Sequence, residues 1–426
     1  PSRLRISRTS LRERTDERHH DNIENLMDKG IDMLGTSAWH EQTRRIVVIG
    51  GGVAGAEIAL TLSIGLPDSQ VTLVGRWPSI RLLPDLIYVP FDVPSRPIDV
   101  PVVELMPHGV HGVVAEVERI DHVGKRIVTN RGDVEYDIVI AAPGAEPRER
   151  EQYGFRNLAD AVRIREQLRQ VVADGRAGER RTVTIRSSSD DSWTAPACEI
   201  ALLVGAWIRA LRLEGRVETV LATSDNEVFE WFGPLGAAAV EAAMRRSRVN
   251  VMTGIPIGRL ESIGGDIIVD FGALRPRSIG GLPGRGVSGW YEPNSVFAVD
   301  RDTFVVGDAV NLPYRAGFAT AWQARRVLTA LGGDPKRLGL ANDGIPINSV
   351  EYQMDLADGV LHARLARGDA LSRPFLGHDA VIDVVLGMRP DKLAGLLLHD
   401  RVLRWKAIEH DAALAFRDVL RSSEVA

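Results

Sequence analysis

The sequence has a single cysteine, Cys198, in 426 residues. A lone thiol makes no disulfide within its chain and no thiolate cage for a metal, and it fits a reducing, cytoplasmic compartment. No apolar run reaches the roughly 20 residues that a spanning helix needs. The net charge is -5 and no strongly basic block appears, so nucleic acid is not an implied partner. The opening stretch PSRLRISRTSLRERTDERHH lacks an apolar core, so a secretory signal is not expected. Low-complexity segments are missing too.

What is present is an ordinary globular composition, 44% hydrophobic and 26% charged. The length exceeds what one core serves, so several domains are expected. Residues 1–43 read as a charge-dense arm. Ile23, Leu26, Met27, Ile31 and Leu34 fall there at helical spacing. Such an arm is either a mobile extension or a piece that docks on a partner subunit. Residues 44–155 read as a first dinucleotide-type unit. It holds the apolar strand RIVVI, a glycine turn, a helix to about Ile64, the strand VTLVG, and further strands VVAEVERID, KRIVTN and YDIVIAAPGA. Residues 156–275 repeat the plan with RTVTI, a long helix over 196–213, VETVLAT, a helix over 235–247, NVMTG and DIIVDFG. Strand and helix alternate at βαβ spacing, which predicts two doubly wound α/β units. Residues 276–340 return with a strand, the loop GDAV and a helix. Residues 341–426 form a smaller C-terminal α/β piece that opens with SVEYQMDLA and GVLHARLA and ends in helix.

Gly50-x-Gly52-x-x-Gly55 follows a strand directly and opens a helix. In that context the pattern carries physical meaning. Gly50 allows the tight turn, Gly52 lets backbone approach a pyrophosphate, and Gly55 lets helix and strand pack closely. Amide groups of the first helical turn, from Val53 and Ala54 onward, then face the anion with the helix dipole behind them. One part of the pattern is missing. The acid that usually ends the second strand is Gly75 here, followed by Arg76. Arg76 reads either as a phosphate or adenine contact or as a solvated charge.

The stretch DTFVVGDAVNLPYRAGFATAWQARRV, residues 302–327, resembles the last FAD segment of the pyridine nucleotide-disulfide oxidoreductase superfamily. It is most similar to the branch that holds sulfide:quinone oxidoreductase, flavocytochrome c sulfide dehydrogenase and type II NADH dehydrogenase. VTLVGRWPSIRLLPDLIYVPF, YDIVIAAPGAEP and VLATSDNEVFEWFGPLGAAAVEAAMRRSRVNVMTG add to the likeness, which runs over roughly residues 44–330. The resemblance implies FAD as cofactor, with Asp308 after Gly307 on the ribityl chain. It also implies that Arg315, Ala316 and Gly317 precede a helix whose N-terminus faces the flavin pyrimidine, where reduced flavin carries negative charge. Val117, Ala142 and Gly144 complete the implied cofactor-binding set. Here Ala142-Pro143-Gly144 replaces the family's Ala-Thr-Gly.

The second unit ends its helix start much as the first does: ACEIAL at 197–202 against GAEIAL at 55–60. Aligned on Glu57 and Glu199, the three glycines face Ser192, Thr194 and Ala197. Pro196 removes an amide donor from the first turn, and Asp190 and Asp191 put negative charge where a pyrophosphate would lie. NAD(P)H is therefore not expected to bind there in the usual way. The paired redox cysteines of the sulfide enzymes are absent as well, and Cys198 reads as a buried packing residue. Trp193, Trp231 and Phe232 are either stacking walls for an organic substrate or core. Glu199 is an acid–base candidate only if buried near the flavin, and otherwise a capping or solvated group.

Residues 391–422 carry Leu398, Val402, Trp405, Ala412, Phe416 and Val419 near helical spacing. Their charges mix both signs, so packing on its own protein or across a contact with another subunit, such as a homo-oligomer, is expected over a peripheral membrane contact. The expectation is an FAD-dependent oxidoreductase that passes electrons between a small-molecule donor and a quinone-like or other organic acceptor. The alternatives are an NAD(P)H:quinone reductase with an atypical nucleotide site and a non-catalytic flavoprotein scaffold or partner subunit.

Overall fold

The computed structural model describes residues 43–91, 99–148, 153–188, 194–229, 233–312, 315, 317–339, 350–365, 380–386, 396–403 and 412–425. The arm over 1–43 lies outside them, apart from residue 43.

The first unit opens with β1 (Arg45–Ile49), α1 (Val53–Gly65) and β2 (Gln70–Gly75). The short strands β3 (Ser79–Arg81) and β4 (Asp99–Pro101) pair with each other. Then come β5 (Val110–Val114), β6 (Val117–Asp121), β7 (Arg126–Thr129), β8 (Val134–Glu135), β9 (Ile138–Ala141) and β10 (Ala145–Pro147). The second unit holds α2 (Leu158–Arg176), β11 (Arg181–Ser187), α3 (Ala195–Ala210), β12 (Val217–Thr223), α4 (Gly233–Arg246), β13 (Val249–Met252) and β14 (Ile267–Phe271). The chain returns through β15 (Leu274–Pro276), β16 (Ala298–Asp300), β17 (Thr303–Val305) and α5 (Gly317–Ala330). It ends with β18 (Val350–Asp355), β19 (Gly359–Leu365), β20 (Ala380–Leu386) and α6 (Ala412–Val425).

The first sheet has the order β16-β17-β9-β1-β2-β5 and is parallel except at β16. A parallel sheet covered on both faces needs strands that are apolar throughout, and RIVVI and IVIA are. Ile46 and Val48 pack on the side of α1, while Val47 and Ile49 pack with Tyr136 and Ile127 on the other. YDIVI supplies β9 of this sheet, whereas VERID and KRIVTN, also read as strands of this unit, pair elsewhere. β6, β7 and β8 form a separate antiparallel meander, because their links are short turns and short turns reverse the chain.

The second sheet is fully parallel, in the order β13-β12-β11-β14. α2 covers it with Ala161, Ile164, Leu168, Val171 and Val172, an apolar stripe at three- and four-residue steps. Asn157 caps that helix by accepting the Asp160 amide at 3.0 Å. β10 and β15 pair antiparallel and join the two units.

The C-terminal piece is a three-stranded antiparallel sheet, β18-β19-β20, with α6. β20 was not anticipated from the sequence. The piece is fastened to both units by buried carboxylates. Glu57 of α1 accepts the amides of Leu397 and Leu398 at 2.9 Å each. Glu199 of α3 accepts the Asp355 amide at 2.8 Å. Asp355 in turn accepts from Tyr88 Oη and Arg417 Nη2, both at 2.7 Å, and from the Ala357 amide at 2.8 Å. Phe416 stands edge-on to Phe91, ring centroids 4.8 Å apart.

Two expectations change here. Glu199 is buried and holds backbone of the C-terminal strand, so it is neither solvated nor a cap of its own helix. Leu398, Val402 and Phe416 are buried against their own chain, so they do not call for a partner subunit to cover them. Trp405 lies outside the described residues. Among those residues, no helix is long and apolar enough to cross a membrane.

Candidate functional site

The glycine turn between β1 and α1 separates into two kinds of glycine. Gly50 has φ +125°, and a Cβ there would overlap the carbonyl oxygen of Ala142. A Cβ on Gly55 would overlap the Gly50 carbonyl oxygen. Both are glycine because backbone packs against backbone. Gly52 is different. A Cβ there meets no protein atom within 4 Å, so this glycine borders open space. It is also the N-cap of α1, which has no side-chain cap and no acidic residue in its first turn. The amides of Val53, Ala54 and Gly55 have no earlier helical turn to donate to, and the dipole makes their end positive. A helix start of this kind suits an anion, and its Gly52 side is open.

Gly75 explains the missing strand-end acid. A Cβ there would sit 2.9 Å from Gly51 Cα, so a side chain collides with the turn. The adjoining strand supplies an acid instead. Glu116, just after β5, pairs with Arg76, both side chains being about half exposed. Arg76 is thus an ion-paired rim charge beside the turn, and such a pair contributes little to stability. Glu116 was not singled out from the sequence, since nothing local links it to Arg76. Val117 follows it, half-buried at the start of β6.

The return segment closes the site from the other side. Gly307 has φ +75°, and a Cβ on it would lie 2.9 Å from Ala54 Cβ. The turn that carries Asp308 therefore rests on the first turn of α1. Its position is fixed by Gln323, a buried residue of α5 whose side-chain oxygen accepts the Gly307 amide at 2.5 Å. Gln323 was also missed. Its signal was a polar residue set among Ala319, Ala324 and Val327 on the inward face of the helix. Protein crowds the Asp308 carboxyl, yet part of the residue stays open to the cleft. Desolvation pushes this carboxyl up from its ordinary range, and the Arg315 guanidinium works against that shift. Arg315 donates to Leu312 O at 3.0 Å, and its Cζ lies over Trp290, 3.9 Å from the ring centroid. Ala142 is buried beneath Gly50, its amide donating to Ile49 O at 2.7 Å. Gly144 has φ +73° and open space at its Cβ position. Gly317 begins α5. Ala316 lies outside the described residues. The first turn of α1 and the Asp308 turn are thus brought together, with Ala142 beneath Gly50. Arg76 and Val117 sit on the rim.

These residues fit FAD. The open Gly52 position and the uncapped helix start suit a pyrophosphate, and the one carboxylate in the adjoining turn suits ribityl hydroxyls. No acidic side chain stands in the first turn to repel the phosphates.

Among the described residues, the second unit shows no such seat. Glu57 and Glu199 are each the fifth residue of their helices, so the register chosen on them holds within the helices. It fails before them. Between β1 and α1 lie three residues, Gly50–Gly52, whereas between β11 and α3 lie seven, Ser188–Thr194. The residue that follows the strand, as Gly50 does, is Ser188 and not Ser192. Thr194 makes no cap bond, and Pro196 stands in the first turn without an amide donor. At the strand ends Arg186 forms a buried ion pair with Asp270 and donates to Glu261 O at 2.6 Å. Burial raises the Asp270 carboxyl, and Arg186 opposes the rise. Asp190, Asp191, Ser192, Trp193, Trp231 and Phe232 lie outside the described residues.

Cys198 is enclosed in the core between α3 and its neighbours. Desolvation raises its thiol far above the ordinary value, with the Asp225 and Glu199 charges adding to the effect. It is a packing residue held in the unreactive protonated form.

Comparison with known proteins agrees with this geometry. The family described as pyridine nucleotide-disulphide oxidoreductase matches residues 39–185. The sulfide-quinone reductase of Aquifex aeolicus strain VF5 is 25% identical over 211 residues, 47% of this chain and 47% of that protein. The matched region thus spans about half the length of this relative. The solved sulfide:quinone oxidoreductase of Aquifex aeolicus superposes with TM-score 0.66 at 17% identity, covering 88% of this chain and 94% of the other. The ferredoxin reductase for the CYP199A2 system of Rhodopseudomonas palustris gives TM-score 0.55 at 16% identity, covering 75% and 82%. At such identities these structures speak for the fold. Over residues 39–185 the chain is thus similar to the pyridine nucleotide-disulphide oxidoreductases, and its fold is similar to that of sulfide:quinone oxidoreductase, likenesses that support that superfamily and FAD as the cofactor.

Proposed function

We propose that the protein is an FAD-dependent oxidoreductase that passes electrons between a small donor and a quinone-like or other organic acceptor, through the flavin alone. The observation that carries this reading is the open Gly52 position at an uncapped helix start, held against the Asp308 turn. FAD, when bound, supplies an electron store that trades with both one- and two-electron partners. The protein's residues supply the rest. Gly52 and the first-turn amides would hold the pyrophosphate. Asp308 would accept from the ribityl chain. Arg315, pinned on Trp290, keeps a positive charge beside Asp308.

Two features support a route without the usual electron inlets. The chain's one cysteine is buried and protonated, so no intrachain disulfide relays electrons. The longer connection, seven residues against three, and Pro196 without an amide donor in the first helical turn speak against a nucleotide at the second unit. A cytoplasmic setting is proposed on the same single free thiol.

Anaerobic titration of the purified protein tests the reading. A flavin spectrum is expected, with little bleaching by micromolar NADH or NADPH. Protein that holds no flavin even after reconstitution would leave the scaffold reading in place. Rapid bleaching by micromolar NADH would move the assignment to an NAD(P)H:quinone reductase.

A further inference from the structure

A cavity of about 390 Å³ lies where β10 and β15 meet the loop that ends at Trp290. Its lining includes Arg148, Arg275, Arg285, Glu146, Ser278 and Trp290. The single acid among these is already matched. Arg275 reaches Glu146 at 2.9 Å, and Arg277 approaches the same carboxylate at 3.8 Å. Arg285 donates to Ser278 Oγ at 2.6 Å and lies over the Tyr291 ring, which holds its guanidinium in place. Glu292, behind Ser288, accepts from that hydroxyl at 3.1 Å and is not part of the lining. Three guanidinium groups thus share the cavity with one carboxylate, and that of Arg285 is held in place, a planar donor of the kind that suits carboxylate and phosphate groups.

Its walls adjoin the residues assigned to the flavin. β10 begins three residues after Ala142, whose carbonyl lies beneath Gly50. Trp290 carries the Arg315 guanidinium. Tyr291 donates its amide to Ala309 O at 3.1 Å and accepts from the Asn311 amide at 2.8 Å, so the loop is stitched to the turn that holds Asp308.

We propose that this pocket binds a small organic molecule through a doubly charged oxyanion group, held among Arg148, Arg275 and Arg285. That this anion is the electron donor or acceptor rests on the oxidoreductase reading; that the pocket binds it does not.

The test uses the purified holoprotein with two probes, malonate for a carboxylate source and inorganic phosphate for a phosphate source. Binding is followed by calorimetry and by tryptophan fluorescence at constant ionic strength, with chloride as the control. Saturable binding is expected for at least one probe, weakening as salt rises. Arg285→Gln and Arg148→Gln should each weaken it by about tenfold or more, the loss of one charge-assisted hydrogen bond. Arg148 is exposed on the rim, so its replacement leaves the fold intact even if Arg285→Gln disturbs the loop. The absorbance ratio of flavin to protein should stay that of the wild type in both. Failure of both probes to saturate, or variants that titrate as the wild type does, would overturn the proposal. Anion binding to a protein that takes up no flavin would uphold the pocket and remove the oxidoreductase reading.

Discussion

Replacing Gly52 by valine separates the seat of a ligand from the packing of the fold. Gly52 has φ -98° and ψ -176°, an extended conformation that valine adopts freely. Its added carbons meet no protein atom within 4 Å of the Cβ position. The cost to the flavin-free protein is then that of a poorer N-cap, about 1 kcal/mol or less. The cost to the bound pyrophosphate is larger. Displacing it from the helix start forfeits charge-assisted hydrogen bonds worth about 1.5–3 kcal/mol each. One such bond lost at the upper end is about a hundredfold in affinity. Gly55→Ala is the control. It adds one methyl, but that methyl overlaps a backbone oxygen and forces α1 away from the turn. Overpacking of this kind costs about 1–3 kcal/mol, and more where backbone is the obstacle. Calorimetry of the flavin-free proteins and fluorescence titration with FAD read the two effects. Gly52→Val should unfold near the wild type and bind FAD about a hundredfold more weakly. Gly55→Ala should unfold early. Wild-type FAD affinity in Gly52→Val, or equal loss of stability in both variants, would refute the assignment of the open position to the pyrophosphate.

Asp308→Asn should stabilise the flavin-free protein while weakening FAD. Burial raises the Asp308 carboxyl, so the wild type bears no ionisation cost below the unfolded carboxyl's range and an increasing one as pH rises through the folded value. The gain in unfolding temperature should therefore vanish in acid and grow towards neutral pH. A gain that is equal at both ends would contradict the burial argument. Cys198 should resist iodoacetamide at pH 8 in the native state and react on unfolding, as mass spectrometry will show; ready native-state labelling would mean an open thiol. Asp355→Ala removes the acceptor of Tyr88 and Arg417 and leaves a buried guanidinium behind. A cost of about 3–5 kcal/mol is expected, with protease cutting first in the C-terminal piece and unchanged flavin content in what remains folded.

The parts legible in the sequence were those with local causes. RIVVI, YDIVI and RTVTI announce themselves because parallel strands buried on both faces are apolar throughout. The helices read over 196–213 and 235–247 appear as α3 and α4, because strand and helix alternate at βαβ spacing. What stayed hidden depended on distant chain. AVIDVVL, the strand β20, carries Asp383 within an apolar run, and its partner β19 alone makes it a strand. The meander β6–β8 reads like sheet strands, but its short turns decide the pairing. The tail shows an apolar face, and spacing cannot say that Phe91 and Tyr88 cover it. At the site, the turn glycines were visible, whereas Gln323 and Glu116 act on partners 16 and 40 residues away.

The likeness of GAEIAL and ACEIAL looks like a nucleotide signature, and its most telling residue serves another purpose. The glycines before α1 have no counterparts before α3, and the connection there is longer by four residues, seven against three. The glutamate is present in both, at the same helical position. Neither copy faces the open turn. Glu57 holds the amides of Leu397 and Leu398, with the buried Arg325 close enough to feel its charge. Glu199 holds the amide of Asp355, which itself anchors Tyr88 and Arg417. A buried carboxylate that loses its donors costs several kcal/mol, so each glutamate ties its helix to the C-terminal piece whether or not a nucleotide lies at the helix start. The two demands act on different ends of the same turn of helix. The first residues differ between the units, glycines before α1 and Pro196 at the start of α3. The fifth answers to the C-terminal piece, which touches both units, and so the two helices keep the same acid although their first turns differ.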